Sequence, residues 1–191
     1  MRSFHAENEE VSANKAESIV DLQVFNTHVT DTATLERPAG MPAMDDYDFN
    51  ERPFLVFWEI TRSCALACSH CRAEAQARRD PEELNYVEAA RLIKQLAVLK
   101  PPMLILTDGD PLMRRDALDL VKEATAAGLH VGLSPSATQR LMQMDFAKLK
   151  SAGVQRMSLS LDGATRESHD SFRGVEGTFD RGEVVGVYAP G

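Results

Sequence analysis

Three cysteines within eight residues, in the segment CALACSHC, are the part of the sequence best suited to chemistry. Cys64, Cys68 and Cys71 are the only cysteines among the 191 residues of the chain. Thiolates at positions 1, 5 and 8 of one loop can converge on a metal centre. An odd, clustered set of cysteines without a secretion signal argues against a disulfide framework. It favours metal or redox use in a reducing compartment, which predicts a cytoplasmic protein.

Three kinds of site are compatible with this cysteine loop. A structural zinc ion normally has four protein ligands, and the remaining candidate, His70, directly adjoins Cys71, where neighbouring residues rarely reach one tetrahedral ion. A nucleophilic or resolving thiol does not need two further cysteines beside it. An iron–sulfur cluster with three cysteine ligands leaves one iron open, and an open coordination position is where a substrate or cofactor binds. The residues favour the cluster and leave the other two alternatives open.

Alternating strands and helices are predicted around this loop. Short apolar runs predict β-strands at 54–60, 103–107, 129–133 and 154–162. Apolar residues at helical spacing predict helices after the capping residue Asn85 and over 116–127 and 144–152, the last two ended by Gly128 and Gly153. Such alternation predicts an α/β fold with a parallel sheet or a (β/α) barrel.

The last predicted strand has two different faces. Its apolar residues are Met157, Leu159 and Leu161, and its polar residues are Arg156, Ser158, Ser160 and Asp162. Because side chains alternate along a strand, we expect the apolar face to pack on helices. The polar face then borders a ligand cavity at the carboxyl end of a barrel, or it is the solvated face of an open sheet.

Most of the charge lies in the first 50 residues. The formal net charge of the chain is −8, and residues 1–50 carry ten acidic and three basic residues. Their irregular composition predicts a flexible acidic leader. The sequence at 18–24 is compatible with a short helix. The chain has no basic face and no run of about 18 apolar residues, which argues against nucleic acid as a partner and against a membrane span.

Three motifs together resemble the radical S-adenosylmethionine (radical SAM) superfamily. Cys64-x3-Cys68-x2-Cys71, directly after a first strand, is similar to the signature of that family. TDGDP at 107–111 resembles its Gly-Gly-Glu/Asp-Pro motif, with Asp108 in place of the usual glycine. SLSLDGATRESHDSFRGVEGTFD at 158–180 resembles the fourth-strand segment of members that modify peptides or act in haem or quinone cofactor synthesis.

This resemblance implies a TIM-like (β/α) barrel core of about six βα units. The similarity covers about 53–180, where the sequence predicts about four such units. We therefore expect a partial radical SAM core over 51–180 and an irregular tail over 181–191, as in a truncated chain. A non-catalytic iron–sulfur or zinc-binding module and an inactive fragment are the alternative interpretations.

The resemblance also implies a chemistry. The three cysteines would bind a 4Fe–4S cluster, whose open iron binds the amino and carboxylate groups of S-adenosylmethionine. An electron from a reductant such as a flavodoxin or ferredoxin cleaves this cofactor to a 5′-deoxyadenosyl radical. That radical abstracts a hydrogen atom from a substrate, here an unidentified small molecule or peptide.

The same motifs imply the residues that bind S-adenosylmethionine. His70 stands where the family has an aromatic residue near the adenine, Gly109 allows close backbone approach, and Asp110 offers a carboxylate to the ammonium group. The ribose and methionyl groups are assigned to Ser134, Ser136, Ser160 and Asp162, and the methionyl carboxylate to Arg173. A solvated position is the alternative for His70 and Arg173, and a turn or capping role is the alternative for the serines and Asp162. For Gly109 and Asp110 the alternative is an ordinary strand-to-helix turn.

Overall fold

The part of the molecule that the structure describes, residues 42–43 and 47–187 of a computed structural model, is built on a parallel sheet of four strands. The strands are β1 (Leu55–Glu59), β2 (Met103–Thr107), β3 (Val131–Leu133) and β4 (Val154–Met157). They lie side by side in the order of the chain, and each neighbouring pair is parallel. The predicted α/β fold is confirmed, with the strand order of a (β/α) barrel.

Helices connect the strands and follow the last of them. They are α1 (Tyr86–Leu99), a 3₁₀ helix (Pro111–Met113), α2 (Ala117–Ala126), α3 (Gln139–Met142), α4 (Phe146–Ala152), α5 (Arg166–Arg173) and α6 (Thr178–Val187). Each connection between consecutive strands therefore passes through at least one helix, as parallel strands require. The predicted glycine signals are confirmed, because Gly128 and Gly153 adopt φ angles of +84° and +109° at the ends of α2 and α4.

The core lies between the helices and one face of the sheet. Leu104 and Leu106 of β2 and Leu133 of β3 are buried there against Ile93 of α1 and Leu120 of α2. On the opposite face of the edge strand β1, the side chain of Phe57 is 64% exposed. Because side chains alternate along a strand, the two faces of β1 have different surroundings.

The fourth strand is shorter and less regular than predicted. Val131 pairs with Val154 and Gly132 with Arg156, so that Gln155 is an extra residue in the ladder. This bulge turns both Val154 and Met157 into the core and breaks the expected alternation. The strand ends at Met157, and Leu161 beyond it is 46% exposed. The prediction that Leu161 packs against helices is therefore wrong.

The prediction of an irregular tail over 181–191 is wrong for residues 181–187, because they belong to the helix α6. Asp170 accepts hydrogen bonds from the backbone N–H groups of Gly177 (2.6 Å) and Phe179 (2.8 Å), which caps the start of α6. Val185 is buried in the core, so tertiary packing stabilises a helix whose sequence has a weak helical period. Residues 188–191, the helix expected at 18–24 and most of the leader predicted for 1–50 lie outside the described residues.

None of the helices within the described ranges combines the length and the apolar character needed to cross a membrane.

A capping box begins α1 and supplies a testable contribution to stability. The Asn85 side chain accepts hydrogen bonds from Val87 N–H (2.9 Å) and Glu88 N–H (3.1 Å), and Glu88 accepts one from Asn85 N–H (2.9 Å). We expect Asn85→Ala to lower the free energy of unfolding by about 1 kcal/mol. Denaturant unfolding measures this, with Asn85→Asp as the control that keeps the acceptor. Equal stability of wild type and Asn85→Ala would contradict the assigned cap.

Candidate functional site

Residues that follow all four strands line one cavity of about 260 Å³. Cys64, Cys68 and Cys71 come from the loop after β1, and Asp108 and Gly109 from the turn after β2. Ser134, Ser136, Ser160 and Asp162 come from the segments after β3 and β4, and His169, Phe172 and Arg173 from α5. Because the carboxyl ends of parallel strands meet at one edge of the sheet, distant parts of the sequence share this cavity.

The cysteine loop is fixed by backbone hydrogen bonds at two places. Its ends are joined by Cys64 N–H to Gln76 O (2.9 Å) and Gln76 N–H to Arg62 O (2.8 Å). Its middle is held by the last turn of α5, where Arg173 O accepts from Ala67 N–H at 3.1 Å and Phe172 O accepts from Ser69 N–H at 2.9 Å. The carbonyls at a helix end lack partners within the helix, so they are free for this role.

Gly109 brings the β2 turn against the start of the cysteine loop. Its φ is +50°, and a Cβ atom built there would lie 2.5 Å from Ser63 O and 2.8 Å from Thr61 O. The adjacent Asp110 N–H donates to Ser63 O at 2.8 Å. The sequence predicted that Gly109 lets the backbone approach a ligand. The structure shows that the close approach is to the backbone of the cysteine loop, while Gly109 also lines the cavity.

Each of the three free thiols has a neighbouring polar group. The Cys64 sulfur accepts from Leu66 N–H at 3.4 Å and lies 3.7 Å from Ser136 Oγ. The Cys71 sulfur accepts from Ala75 N–H at 3.3 Å, and the Cys68 sulfur lies 3.6 Å from Arg173 Nη1. Burial raises the pKa of Cys64, and the contacts with Leu66 and Ser136 oppose that rise. Such donors stabilise thiolates, the form in which cysteine binds metal.

Asp110 does not present its carboxylate to the cavity, contrary to the sequence prediction. It is fully buried, and its two carboxylate oxygens accept from Leu112 N–H (3.1 Å) and from the Thr138 hydroxyl (2.9 Å). Burial raises the pKa of Asp110, and these two hydrogen bonds oppose the rise. Asp110 therefore caps the 3₁₀ helix, a role that its short side chain allows.

Asp108 is the acid of this turn that lines the cavity. Its φ is +70°, so this aspartate takes the left-handed conformation at the position where the family has glycine. Arg72 donates to Asp108 at 2.9 Å and pairs with Glu59 at 2.8 Å, which ties the residue after Cys71 to the ends of β1 and β2. Burial and the Glu59 carboxyl raise the pKa of Asp108 to about 6. Sequence reasoning missed Arg72 and Glu59, because only the fold brings them together.

The other predicted cofactor residues lie at the cavity, and several already have protein partners. Ser136 donates to Gly109 O at 3.1 Å, and the Ser134 hydroxyl accepts from Ser158 at 3.1 Å. Asp162 forms an ion pair with Arg173. The remaining predicted cofactor residues, Ser160 and His70, also line the cavity; both are exposed, and the His70 ring centroid lies 5.5 Å from that of Phe172.

His169 is a cavity residue that sequence reasoning missed. Its side chain is only 1% exposed, and it lies one helical turn before Arg173 on α5. The available signal was the spacing of His169 and Arg173, because residues four apart share one face of a helix.

Comparison with known proteins identifies the family. Residues 58–181 match the family model described as Radical SAM superfamily. An AdoMet-dependent heme synthase of Oleidesulfovibrio alaskensis is 46% identical over 127 residues, which are 66% of this chain and 32% of that protein. A mycofactocin maturase MftC of Mycolicibacterium smegmatis is 35% identical over 131 residues, 68% of this chain and 32% of the relative. The chain thus spans about a third of the length of these curated relatives.

Solved structures share the fold at low sequence identity. SuiB of Streptococcus suis bound to S-adenosylmethionine matches with a TM-score of 0.56 and 14% identity, over 72% of this chain and 32% of SuiB. Methylornithine synthase (PylB) matches with a TM-score of 0.56 and 23% identity, over 74% of this chain and 42% of PylB. The family model matches more than half of the residues of this chain, so the chain belongs to the radical SAM superfamily.

Proposed function

We propose that this chain carries the cluster- and cofactor-binding part of a radical SAM enzyme that matures a peptide or a cofactor precursor. The observation that carries this proposal is the placement of three free thiols on one cavity at the carboxyl ends of four parallel strands. When bound and reduced, a 4Fe–4S cluster supplies the electron that cleaves S-adenosylmethionine to a 5′-deoxyadenosyl radical.

The residues fit an iron–sulfur cluster better than a single zinc ion. A structural zinc ion takes four protein ligands, and the loop supplies three thiols. Each thiol borders the cavity beside its own hydrogen-bond donor or cation. A cluster takes each thiolate on a separate iron, so three spaced thiols suit it. Cys64, Cys68 and Cys71 are the proposed ligands.

The polar wall of the cavity supports a charged, hydrogen-bonding cofactor. His70, Gly109, Ser134, Ser136, Ser160, Asp162 and Arg173 are the proposed contacts of S-adenosylmethionine. Asp108 replaces Asp110 as the acid offered to the cofactor, because Asp108 lines the cavity while the Asp110 carboxylate is buried against Leu112 and Thr138. Asp162 and Arg173 form an ion pair, and beside this contact each keeps acceptor or donor capacity for the cofactor.

The names of the relatives support the class of substrate. They are heme synthases and a mycofactocin maturase, which gives a tetrapyrrole-type cofactor precursor or a peptide as the proposed substrate. A small electron carrier of the flavodoxin or ferredoxin type is the proposed reductant. The cytoplasm is the proposed compartment because free thiols and reduced clusters persist in a reducing environment.

Reductive cleavage of S-adenosylmethionine tests this function. We expect anaerobically reconstituted protein to form 5′-deoxyadenosine from the cofactor when dithionite is added, and Cys71→Ala protein to form none. Chromatography of the quenched reaction measures the product. Protein that binds a cluster and S-adenosylmethionine but forms no 5′-deoxyadenosine would instead be a non-catalytic binding module.

A further inference from the structure

The buried imidazole of His169 is held in one tautomer by the backbone. Its Nδ1 atom accepts a hydrogen bond from Asp162 N–H at 3.1 Å. A backbone amide can only donate, so Nδ1 carries no proton in this arrangement and the proton of the neutral ring is on Nε2. The residue therefore presents Nε2–H as a hydrogen-bond donor of fixed position.

This donor has no partner among the described residues, and His169 is one of the residues that line the cavity. His169 is 1% exposed and lines the same cavity as the three thiols. Nε2 forms no hydrogen bond with any described residue. Every side-chain nitrogen or oxygen that is closed off from solvent in the described part of the chain does have a partner. Nε2 consequently keeps its small solvent access, and the cavity is the space that His169 borders.

The neighbours of His169 favour the neutral donor over the imidazolium. Burial lowers the pKa of His169, and the positive charge of Arg173 lowers it further, against the opposing carboxylates of Asp162 and Asp170. The imidazole forms a T-shaped contact with Phe179, with the ring centroids 5.9 Å apart and an interplanar angle of 68°. The imidazole is thus confined by packing on one side and by a backbone amide on another.

The position of His169 along α5 indicates which molecule it meets. Arg173 follows it by four residues, so both side chains lie on one face of the helix. Arg173 Nη1 lies 3.6 Å from the Cys68 sulfur, which places this helix face beside the thiols. His169 and the three thiols line the same cavity, so a molecule bound in it beside a cluster lies near His169.

We propose that His169 binds S-adenosylmethionine by donating its Nε2–H hydrogen bond to an oxygen atom of that cofactor. This inference rests on the proposed function, because it takes the cofactor of the cavity from there. Because packing and the Asp162 N–H already fix the ring, a ligand oxygen placed at Nε2 gains a hydrogen bond without having to order the donor. His169 is in this account a cofactor-binding residue with no part in proton transfer.

Two substitutions at His169 separate the donor from the structural contact. His169→Asn retains an acceptor near Nδ1 for Asp162 N–H and lacks the Nε2 donor, whereas His169→Gln can return a donor near Nε2. We expect His169→Asn to keep the iron content of the wild type and to bind S-adenosylmethionine about tenfold more weakly. His169→Gln should recover part of that affinity. Equilibrium dialysis on anaerobically reconstituted protein measures the dissociation constants.

The same substitution at an exposed histidine is the control. His130 lies outside this cavity beside Gln155, so His130→Asn should bind S-adenosylmethionine as the wild type does. Wild-type affinity in a folded, cluster-loaded His169→Asn protein overturns this inference alone. Failure of the wild type to bind cluster or cofactor overturns the proposed function and, with it, this inference.

The protonation state of the His169 ring is a second measurement, and it can be made without a bound cluster. Nitrogen NMR of the metal-free wild type at neutral pH should show a neutral His169 ring with the proton on Nε2. A ring protonated on Nδ1, or an imidazolium, contradicts the assigned donor even if His169→Asn fails to fold.

Discussion

The Cys68→Ala variant is expected to lose nearly all of the iron that the reconstituted wild type holds. Two thiolates from Cys64 and Cys71 would leave two irons of the cluster without protein ligands, and a cluster so held exchanges readily with solvent. Iron and sulfide analysis after anaerobic desalting measures the loss, from about four irons per chain to nearly none. Because Cys68 is only half-buried, the fold should survive, which circular dichroism can verify.

Ser69→Ala is the matched control for this loss. Ser69 adjoins Cys68, and its hydroxyl makes one exposed contact of 3.4 Å with Phe172 O, while its backbone N–H keeps the hydrogen bond to α5. We expect Ser69→Ala to assemble the cluster as the wild type does. Full iron content in Cys68→Ala would refute the assignment of this thiol as a cluster ligand.

The second large effect is expected at Gly109. An alanine Cβ there would lie within 3.0 Å of three backbone atoms of Thr61, Arg62 and Ser63, in a left-handed conformation that disfavours any Cβ. Overpacking and backbone strain together lower the free energy of unfolding of Gly109→Ala by about 2–4 kcal/mol. Because the turn after β2 braces the cysteine loop, the variant should also reconstitute less cluster than the wild type.

Gly128→Ala separates backbone strain from overpacking as causes of the loss of stability. Gly128 has a φ of +84°, but no atom lies within 4 Å of the position of its added Cβ. Backbone strain alone should therefore lower the free energy of unfolding of Gly128→Ala by about 1–2 kcal/mol. The variant should hold as much iron as the wild type. Equal stability of the Gly109→Ala and Gly128→Ala proteins would contradict the close packing of the β2 turn on the cysteine loop.

Local sequence patterns carry most of the information about the fold. The apolar run at β2 matches the structure at both ends, and the Asn85 capping box forms as predicted. Both depend on neighbouring residues only, through side-chain period and capping chemistry. The bulge at Gln155 and the helix α6 were not predictable in this way. They depend on the register with β3 and on the burial of Val185, which are tertiary properties.

The same distinction applies to the site. Cysteine spacing predicts a metal-binding loop from the sequence alone, because all three thiols come from one short segment. Asp110 and Asp108 are two residues apart in one turn, and only the fold shows that Thr138 and Leu112 take the carboxylate of the first while the second faces the cavity. His169 and Arg72 were missed because their importance comes from contacts with Asp162, Glu59 and Asp108 across the fold.

Metal and sulfide analysis of the purified chain tests the central claim most directly. The 191-residue chain, reconstituted anaerobically with iron and sulfide and then desalted, should hold about four irons and four sulfides per chain and show the visible charge-transfer absorption of a 4Fe–4S cluster. Protein that instead holds one zinc ion and no sulfide, or that stays colourless without bound iron, would contradict the assignment of Cys64, Cys68 and Cys71 as ligands of an iron–sulfur cluster.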